Sequence, residues 1–375
     1  MSEVGHVNID FGDDVSKMLY EAAKQTYANR PGAVKELHSS FSGLRAIDPA
    51  YKPAECFELL GSDGVGTKVE IAERTQDHSS VAHDLFAMVC DDAVVRGAEP
   101  IAINTVLDVN KLDENDPLTI EALRGIAYGY VAAASLAKVV VLNGELAELG
   151  GRVGGYGTFN YNWGATLLSY AHPERVLAGD KIVPGDMLVG LAEKGFRSNG
   201  ITDVRRVLSE EFGPLWHEQV VSELGEASLG QLVQKPSIIY SKFISELTGG
   251  YDIAKKPLAE ITGAAHITGG GIPSKLGRML KPSGLGAVLL SPQSPPPIMK
   301  FVQGLSGMSD EESYGKWHMG SGMILSSPKP VAIIEHAEKW GLEAQIMGRI
   351  TREPTIKIVS EGVEASGQTL VFTDR

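Results

Sequence analysis

Gly61-Ser62-Asp63-Gly64-Val65-Gly66-Thr67-Lys68 leaves the apolar run Cys56 to Leu60 and so puts three glycines, a carboxylate and a lysine at the exit of a strand. Glycine turns of this kind cradle phosphates, yet the Walker order needs its lysine directly after the last glycine. Here the order is Gly66-Thr67-Lys68, and that motif fails. An ionised Asp63 in a phosphate loop repels the ligand unless a divalent cation sits between them. The stretch therefore predicts a carboxylate, Mg2+ and polyphosphate arrangement. Its competing reading is an ordinary glycine turn between a strand and the next element.

The flanking sequence alternates strand and helix signals. Val15, Met18, Leu19, Ala22 and Ala23 recur at helical spacing over residues 14 to 28, before Pro31 and Gly32. After the Asp63 loop, Ser79 or Ser80 caps a predicted helix that carries Val81, Leu85, Met88 and Val94 and ends at Gly97. A strand at 101–106, a helix at 119–137 and a strand at 139–142 follow. A second cycle begins past a polar edge near Ala171, with strands at 187–192 and 286–290, helices at 202–212 and 331–340, and closing strands at 344–350, 356–359 and 370–372. Ser291 to Pro297 is proline-rich and reads as a surface connection. The expected class is α/β (α+β) in two domains, 1–170 and 171–375.

With 375 residues, 43% of them hydrophobic, the chain holds enough apolar material for more than one core. Its formal charge of -13 argues against a nucleic acid or anionic membrane held by bulk electrostatics, so an anionic substrate needs local cations or a metal. Only Cys56 and Cys90 occur, outside any metal spacing, which suits a reducing compartment. Without a secretory pattern or a membrane-length apolar run, a cytoplasmic protein is expected.

Other clusters extend the picture. Asp91 and Asp92 lie on the helix after the Asp63 loop. Adjacent helical residues point about 100° apart, so at most one of them faces Asp63's site. Asp84 shares the face of Asp91, which leaves a solvated acidic stripe as the plainer reading. Asn143-Gly144-Glu145 follows the strand at 139–142, and loops at strand ends collect ligands. Asp63, Asp92 and Glu145 form an oxygen-rich set that favours Mg2+ over zinc. Gly195-Phe196-Arg197-Ser198-Asn199-Gly200 and Thr268-Gly269-Gly270-Gly271-Ile272-Pro273 each precede a helix, whose N-terminus offers N–H groups to a phosphate. Either can also be a plain cap and turn. His266 is positioned either for proton transfer or as a satisfied core histidine.

In this order the segments resemble the aminoimidazole ribonucleotide synthetase family, also called phosphoribosylformylglycinamidine cyclo-ligase, over nearly the whole chain. The resemblance runs from Asn8-Ile9-Asp10-Phe11-Gly12 through Ser62 to Lys68, Asp84 to Asp92, Gly97-Ala98-Glu99-Pro100, Gly144-Glu145 and Ser198-Asn199-Gly200 to His266 through Gly271. It implies a two-domain synthetase fold, with an N-terminal domain that dimerises into a β-barrel flanked by helices and a C-terminal mixed-sheet domain. It implies ATP and Mg2+ as cofactors and a phosphorylated ribonucleotide as substrate, ring closure in purine biosynthesis, and a homodimer. By position, Asp63, Gly64, Gly66, Thr67, Lys68, Asp92 and Glu145 hold nucleotide, with the three carboxylates on the metal. Arg197, Ser198, Asn199 and Gly269 to Gly271 meet substrate or phosphate. Lys68, Asn199 and His266 are the expected catalytic groups.

This chain departs from the family pattern at several places. Arg197 stands for a usual His, Gly315-Lys316-Trp317-His318 for an Arg-Thr-Phe-Asn run, and Asp91 for an Asn. Lys35 to Phe41 replaces a glycine-rich flap, and Asn143 and Leu146 replace a Gly and a Thr. The competing readings are a divergent synthetase activating another amide or carboxyl oxygen, and a silent nucleotide-binding paralogue.

Overall fold

The computed structural model describes residues 9–38 and 43–373. Helix α1 (Ile9–Gln25) opens the first half, and the hairpin β1 (Val34–Glu36) and β2 (Arg45–Ile47) follows it. Of the unusual segment 35–41, residues from Ser39 lie outside the described part, as does Asn8. Strand β3 (Phe57–Gly64) is longer than its apolar run and carries Asp63 at its end. The short α2 (Val69–Thr75) comes next, then α3 (Val81–Val94), β4 (Glu99–Val109), α4 (Pro117–Ala137), β5 (Val140–Glu148) and β6 (Tyr161–Ala171). α4 starts where Asp116 accepts the Leu118 N–H and Pro117 takes the first turn.

These strands form a four-stranded sheet in the order β3-β6-β4-β5, in which only β4 and β5 run parallel. Alternation along β4 turns Ile103, Thr105 and Leu107 inward and Asn104 and Val106 outward. The inward face packs with Tyr161, Trp163 and Leu167 against α1, α3 and α4. Each fully buried aliphatic side chain there contributes about 1.5–3 kcal/mol. The other face is uncovered among the described residues, where Leu60 is 76% and Val106 47% exposed. The sheet of one chain is open.

The second half holds β7 (Met187–Ala192), α5 (Ile201–Phe212), α6 (Leu229–Gln234), α7 (Ser241–Thr248), β8 (Gly263–His266), α8 (Gly271–Leu280), β9 (Gly286–Leu289), α9 (Pro297–Ser306), α10 (Asp310–Lys316), β10 (Ser321–Ser327), α11 (Val331–Trp340), β11 (Ala344–Thr351), β12 (Ile356–Val359) and β13 (Thr369–Phe372). Its sheet runs β13-β12-β9-β11-β7-β10-β8, with β9 and β12 as the parallel pair. Leu188 and Ile324 face α5, α8 and α9, while Val189, Leu191 and Leu325 face α7 and α11, so helices cover both sides. No described helix is long and apolar enough to cross a membrane.

Helix α3 joins the halves. Eleven of its 14 residues are buried, because one side faces the first sheet and the other the second half. The buried side includes Asp84 and Asp91, so the acidic face is a sealed seam and not a solvated stripe.

Candidate active site

The C-terminal end of β3, the last turns of α3 and the starts of α5 and α8 meet at one end of that seam. Asp63 and Asp92 are electrostatic neighbours, and Lys275 of α8 acts on both. Burial raises the Asp63 carboxyl, the Gly64 N–H that it accepts lowers it, and Asp92 raises it again. Burial also acts to raise Asp92, but the hydrogen bond from His266, with the charges of Lys275 and Arg96, outweighs it and holds Asp92 low. Two carboxylates within electrostatic reach of each other and of one lysine leave a site that favours a further cation.

Of the expected carboxylate trio, Asp63 and Asp92 come together and Glu145 does not. The predicted strand at 139–142 continues to Glu148, so Glu145 is mid-strand and not on a strand-end loop. Gly64 pairs with Gly164, Gly164 with Val106 and Val106 with Glu145. Three strand spacings put Glu145 about 14 Å from the end of β3. It lines a different cavity, of about 540 Å3, between α1, β2 and the sheet. Among the described residues no group of three His, Cys, Asp or Glu side chains can hold a metal. Asp63 and Asp92 still fit Mg2+, which commonly takes one or two carboxylates and completes its shell with water and phosphate oxygens.

Lys68 and Arg197 need correction. Lys68 does not reach toward a phosphate: its ammonium is 1% exposed and bonds Asp84 Oδ1 at 2.8 Å, the Phe196 carbonyl at 2.6 Å and the Lys235 carbonyl at 2.8 Å. All three ammonium donors are thereby used. The signal for this pairing is Asp84, 16 residues on in the same half, with the two carbonyls coming from across the seam. Arg197, expected on a phosphate, is equally enclosed. Its Nη1 bonds Glu193 at 2.6 Å and the Ile238 carbonyl at 3.0 Å, and its Nη2 bonds Asp91 at 3.0 Å. Asp91 thus meets a cation inside the protein. Burial pushes its carboxyl up to about 7, against Arg197 and the Tyr240 N–H, which favour the charged form.

Arg197 Nη2 also lies 2.8 Å from His266 Nε2, and His266 Nδ1 lies 2.7 Å from Asp92 Oδ1. A guanidinium only donates, so Nε2 accepts and Nδ1–H donates to Asp92. Burial, followed by the Arg197 charge, lowers the imidazole to about 4, so His266 is neutral and its two nitrogens are occupied. It aims Asp92 without meeting the cleft itself.

The glycine loops lead into two helices that lack side-chain caps. Gly200 (φ 85°) and Gly270 (φ 88°) precede α5 and α8, although the Gly271 N–H is taken by the Thr268 carbonyl at 2.9 Å. A Cβ on Gly200 would run into the Trp317 ring. Asn199 is exposed against Gly269, Ser198 Oγ is buried without a partner, and Gly66 and Thr67 are exposed with Thr67 Oγ1 3.2 Å from Thr202 Oγ1 of α5. Loop, helix starts and carboxylates therefore share one cleft. Lys275, which no local motif marks, sits one turn beyond Gly271.

His318, another departure, is a packing residue. Its Nε2 lies 2.7 Å from the Gly195 carbonyl and its Nδ1 accepts the Gly320 N–H at 3.1 Å. Burial lowers it from 6.5 to about 3, with the Gly195 bond opposing and Arg197 and Lys68 assisting. Because the folded value lies below the unfolded one, its stabilising contribution is complete above 6.5 and drains away as pH falls toward 3. In urea unfolding, the stability gap between wild type and His318→Gln is expected to be widest near neutrality and to narrow by about pH 4.5. A gap independent of pH would refute the buried neutral assignment.

Comparison with known proteins follows the same division. Residues 52–165 match the model for the AIR synthase related protein, N-terminal domain, and residues 183–361 the model for the C-terminal domain. The phosphoribosylformylglycinamidine cyclo-ligase of Symbiobacterium thermophilum is 31% identical over 361 residues, covering 93% of this chain and 96% of the relative. The thiamine-monophosphate kinase of Stenotrophomonas maltophilia has the same fold, at TM-score 0.63 and 12% identity over 93% of this chain and 96% of that one. The hydrogenase maturation protein HypE, solved in complex with ATP, superposes at TM-score 0.52 with 15% identity over 84% of each chain.

Proposed function

This chain belongs to the phosphoribosylformylglycinamidine cyclo-ligase family, a family of ligases, and we propose on that basis that it closes the imidazole ring of formylglycinamidine ribonucleotide at the expense of ATP. The γ-phosphoryl group passes to the formyl amide oxygen and ADP leaves. The internal nitrogen then attacks that carbon, and inorganic phosphate departs with the oxygen. Such chemistry asks for charge neutralisation and for two substrate atoms held in attack geometry, with no covalent protein nucleophile.

The observation that carries this reading is the pairing of Asp63 and Asp92 opposite two uncapped helix starts. In the proposal, Asp63 and Asp92 hold Mg2+, which when bound neutralises polyphosphate charge. Gly64, Gly66 and Thr67 line the nucleotide, while Ser198, Asn199 and Gly269 to Gly271 bind the substrate's phosphate or amide. Lys68, Arg197 and His266 act behind this surface as positioning residues. Arg197 and His318, which suggested a different substrate, are both buried, so those departures alter packing more than the face offered to ligand.

The homodimer and the division at residue 170 belong to the same proposal. The edges of the first sheet are β3 and β5, and a two-fold copy that pairs each β5 with the other β3 closes eight strands into a barrel. Closure turns Leu60 and Val106 inward and brings Glu145 of the partner subunit to the Asp63 edge. Residence in the cytoplasm accords with purine biosynthesis.

The test is ADP release with Mg-ATP, with and without formylglycinamidine ribonucleotide, following the aminoimidazole product in parallel. ADP and product are expected to form in step, from a particle sedimenting as two chains. ATP binding without substrate-dependent turnover would point to a different acceptor or a silent paralogue, and a single-chain particle would remove the barrel.

A further inference from the structure

A second cavity, of about 500 Å3, opens between the end of α4 and α7. Its wall includes Glu99 at the start of β4. Glu99 is level with Tyr170 of β6 and hence with Glu58 of β3. Six residues of strand separate Glu58 from Gly64, so the cavity is about 20 Å along the sheet from the candidate active site.

Five cations line it, Arg30, Lys138, Lys242, Lys255 and Lys256, against two carboxylates, Glu99 and Glu246, in a chain whose formal charge is -13. Both carboxylates are already engaged. Glu99 is paired with Arg30 at 2.5 Å and accepts the Tyr251 N–H, while Glu246 accepts Trp340 Nε1 at 3.1 Å and lies 3.2 Å from His336 Nε2. The carbonyls that would otherwise attract the lysines are engaged too. Arg30 bonds the carbonyls of Lys138 and Pro100, and Arg175 those of Gly250 and Asp252.

The ammonium groups are left over. Among the described residues, Lys138 and Lys256 have no carboxylate within ion-pair distance, Lys255 reaches only Asp252 at 3.7 Å, and Lys242 lies over the Trp340 ring. Burial, with Arg30 and Lys255 beside it, lowers the Lys138 ammonium against the opposing pull of Glu99 and Glu246, as expected where like charges converge around carboxylates engaged elsewhere. Ser245, on the same wall, has a buried hydroxyl without a partner.

We propose that this cavity is a binding site for a small phosphorylated anion, its phosphate oxygens held by Lys138, Lys255 and Lys256 with Ser245 Oγ as a neutral donor. Lys138 comes from the first half and the others from the second, so the ligand bridges the seam. The volume suits a diphosphate group with or without a nucleoside. The charges fit no neutral or cationic ligand.

The test is calorimetric titration of pyrophosphate into the full chain at low ionic strength without Mg2+, where Asp63 and Asp92 repel it from the other site. One equivalent is expected to bind. The double variant Lys138→Asn, Lys256→Met should weaken it about tenfold or more, and Asp63→Asn should leave it unchanged. Lys138 has φ 55°, a left-handed conformation that asparagine tolerates, so the substitution removes charge without backbone strain. Competition by ADP that the double variant abolishes would identify a nucleotide's phosphate chain, and none would identify inorganic polyphosphate. Absence of binding, or affinity unaltered in the double variant, overturns the proposal.

Discussion

Asp63→Asn is expected to weaken Mg2+-dependent ATP binding by about 100-fold, close to 2.7 kcal/mol, while the protein stays folded. Asparagine keeps the shape at the end of β3 and retains an oxygen for the Gly64 N–H. It removes one of two adjacent negative charges on which a divalent cation depends. The sign of the stability effect follows from the raised carboxyl. A group whose folded value lies above its unfolded one adds stability only while protonated, and it loses that contribution as pH rises past the folded value. Burial and Asp92 both disfavour the charged form of Asp63, so asparagine should leave the melting temperature near neutrality unchanged or raise it. Calorimetric titration with Mg-ATP beside a thermal scan reads both effects. Unchanged nucleotide affinity would sink the metal assignment.

Arg197→Met should have the largest effect on stability, a loss of about 3–5 kcal/mol in urea unfolding, because it strands two buried carboxylates around one missing cation. The side chains of Asp91 and Glu193 are 0% and 1% exposed. Without Arg197 the Asp91 carboxyl, which burial already pushes up to about 7, favours protonation further, so the loss should shrink as pH is lowered from neutrality toward 5. Arg197→Lys keeps the charge but lacks the fork that spans Glu193, Asp91 and His266, and it should fall between. A loss in Arg197→Met below about 1 kcal/mol would mean that water or rearrangement solvates the carboxylates, and the enclosed network would be the wrong description.

Elements with a strong local period were legible in the sequence: the helices around Val81, Thr119 and Val331 and the strands at 187–192 and 356–359 all occur near their expected bounds. Strands that mix polar and glycine residues were not. β3 runs through Ser62 and Asp63, and β5 through Asn143 and Glu145, because hydrogen bonding to neighbouring strands overrides weak propensity there. At the site, the glycine loops and the Asp63, Asp92 pairing could be read from order and spacing. The burial of Lys68 and Arg197 could not. Each depends on acceptors far away in sequence, Phe196 and Lys235 for one and Asp91 for the other, and no local pattern reports a carbonyl aimed across an interface.

The seam along α3 also governs how the molecule comes apart. Each half has its own sheet and core, yet the Lys68–Asp84 pair is completed by the Phe196 and Lys235 carbonyls and the Ser237 N–H of the second half, and Arg197 of the second half is completed by Asp91 of the first. Separating the halves would uncover these charges along with the apolar side chains around them, so neither half is a self-sufficient folding unit. The chain should denature in one cooperative transition, and cutting it between β6 and β7 should yield two fragments that are insoluble alone and recover structure only when refolded together.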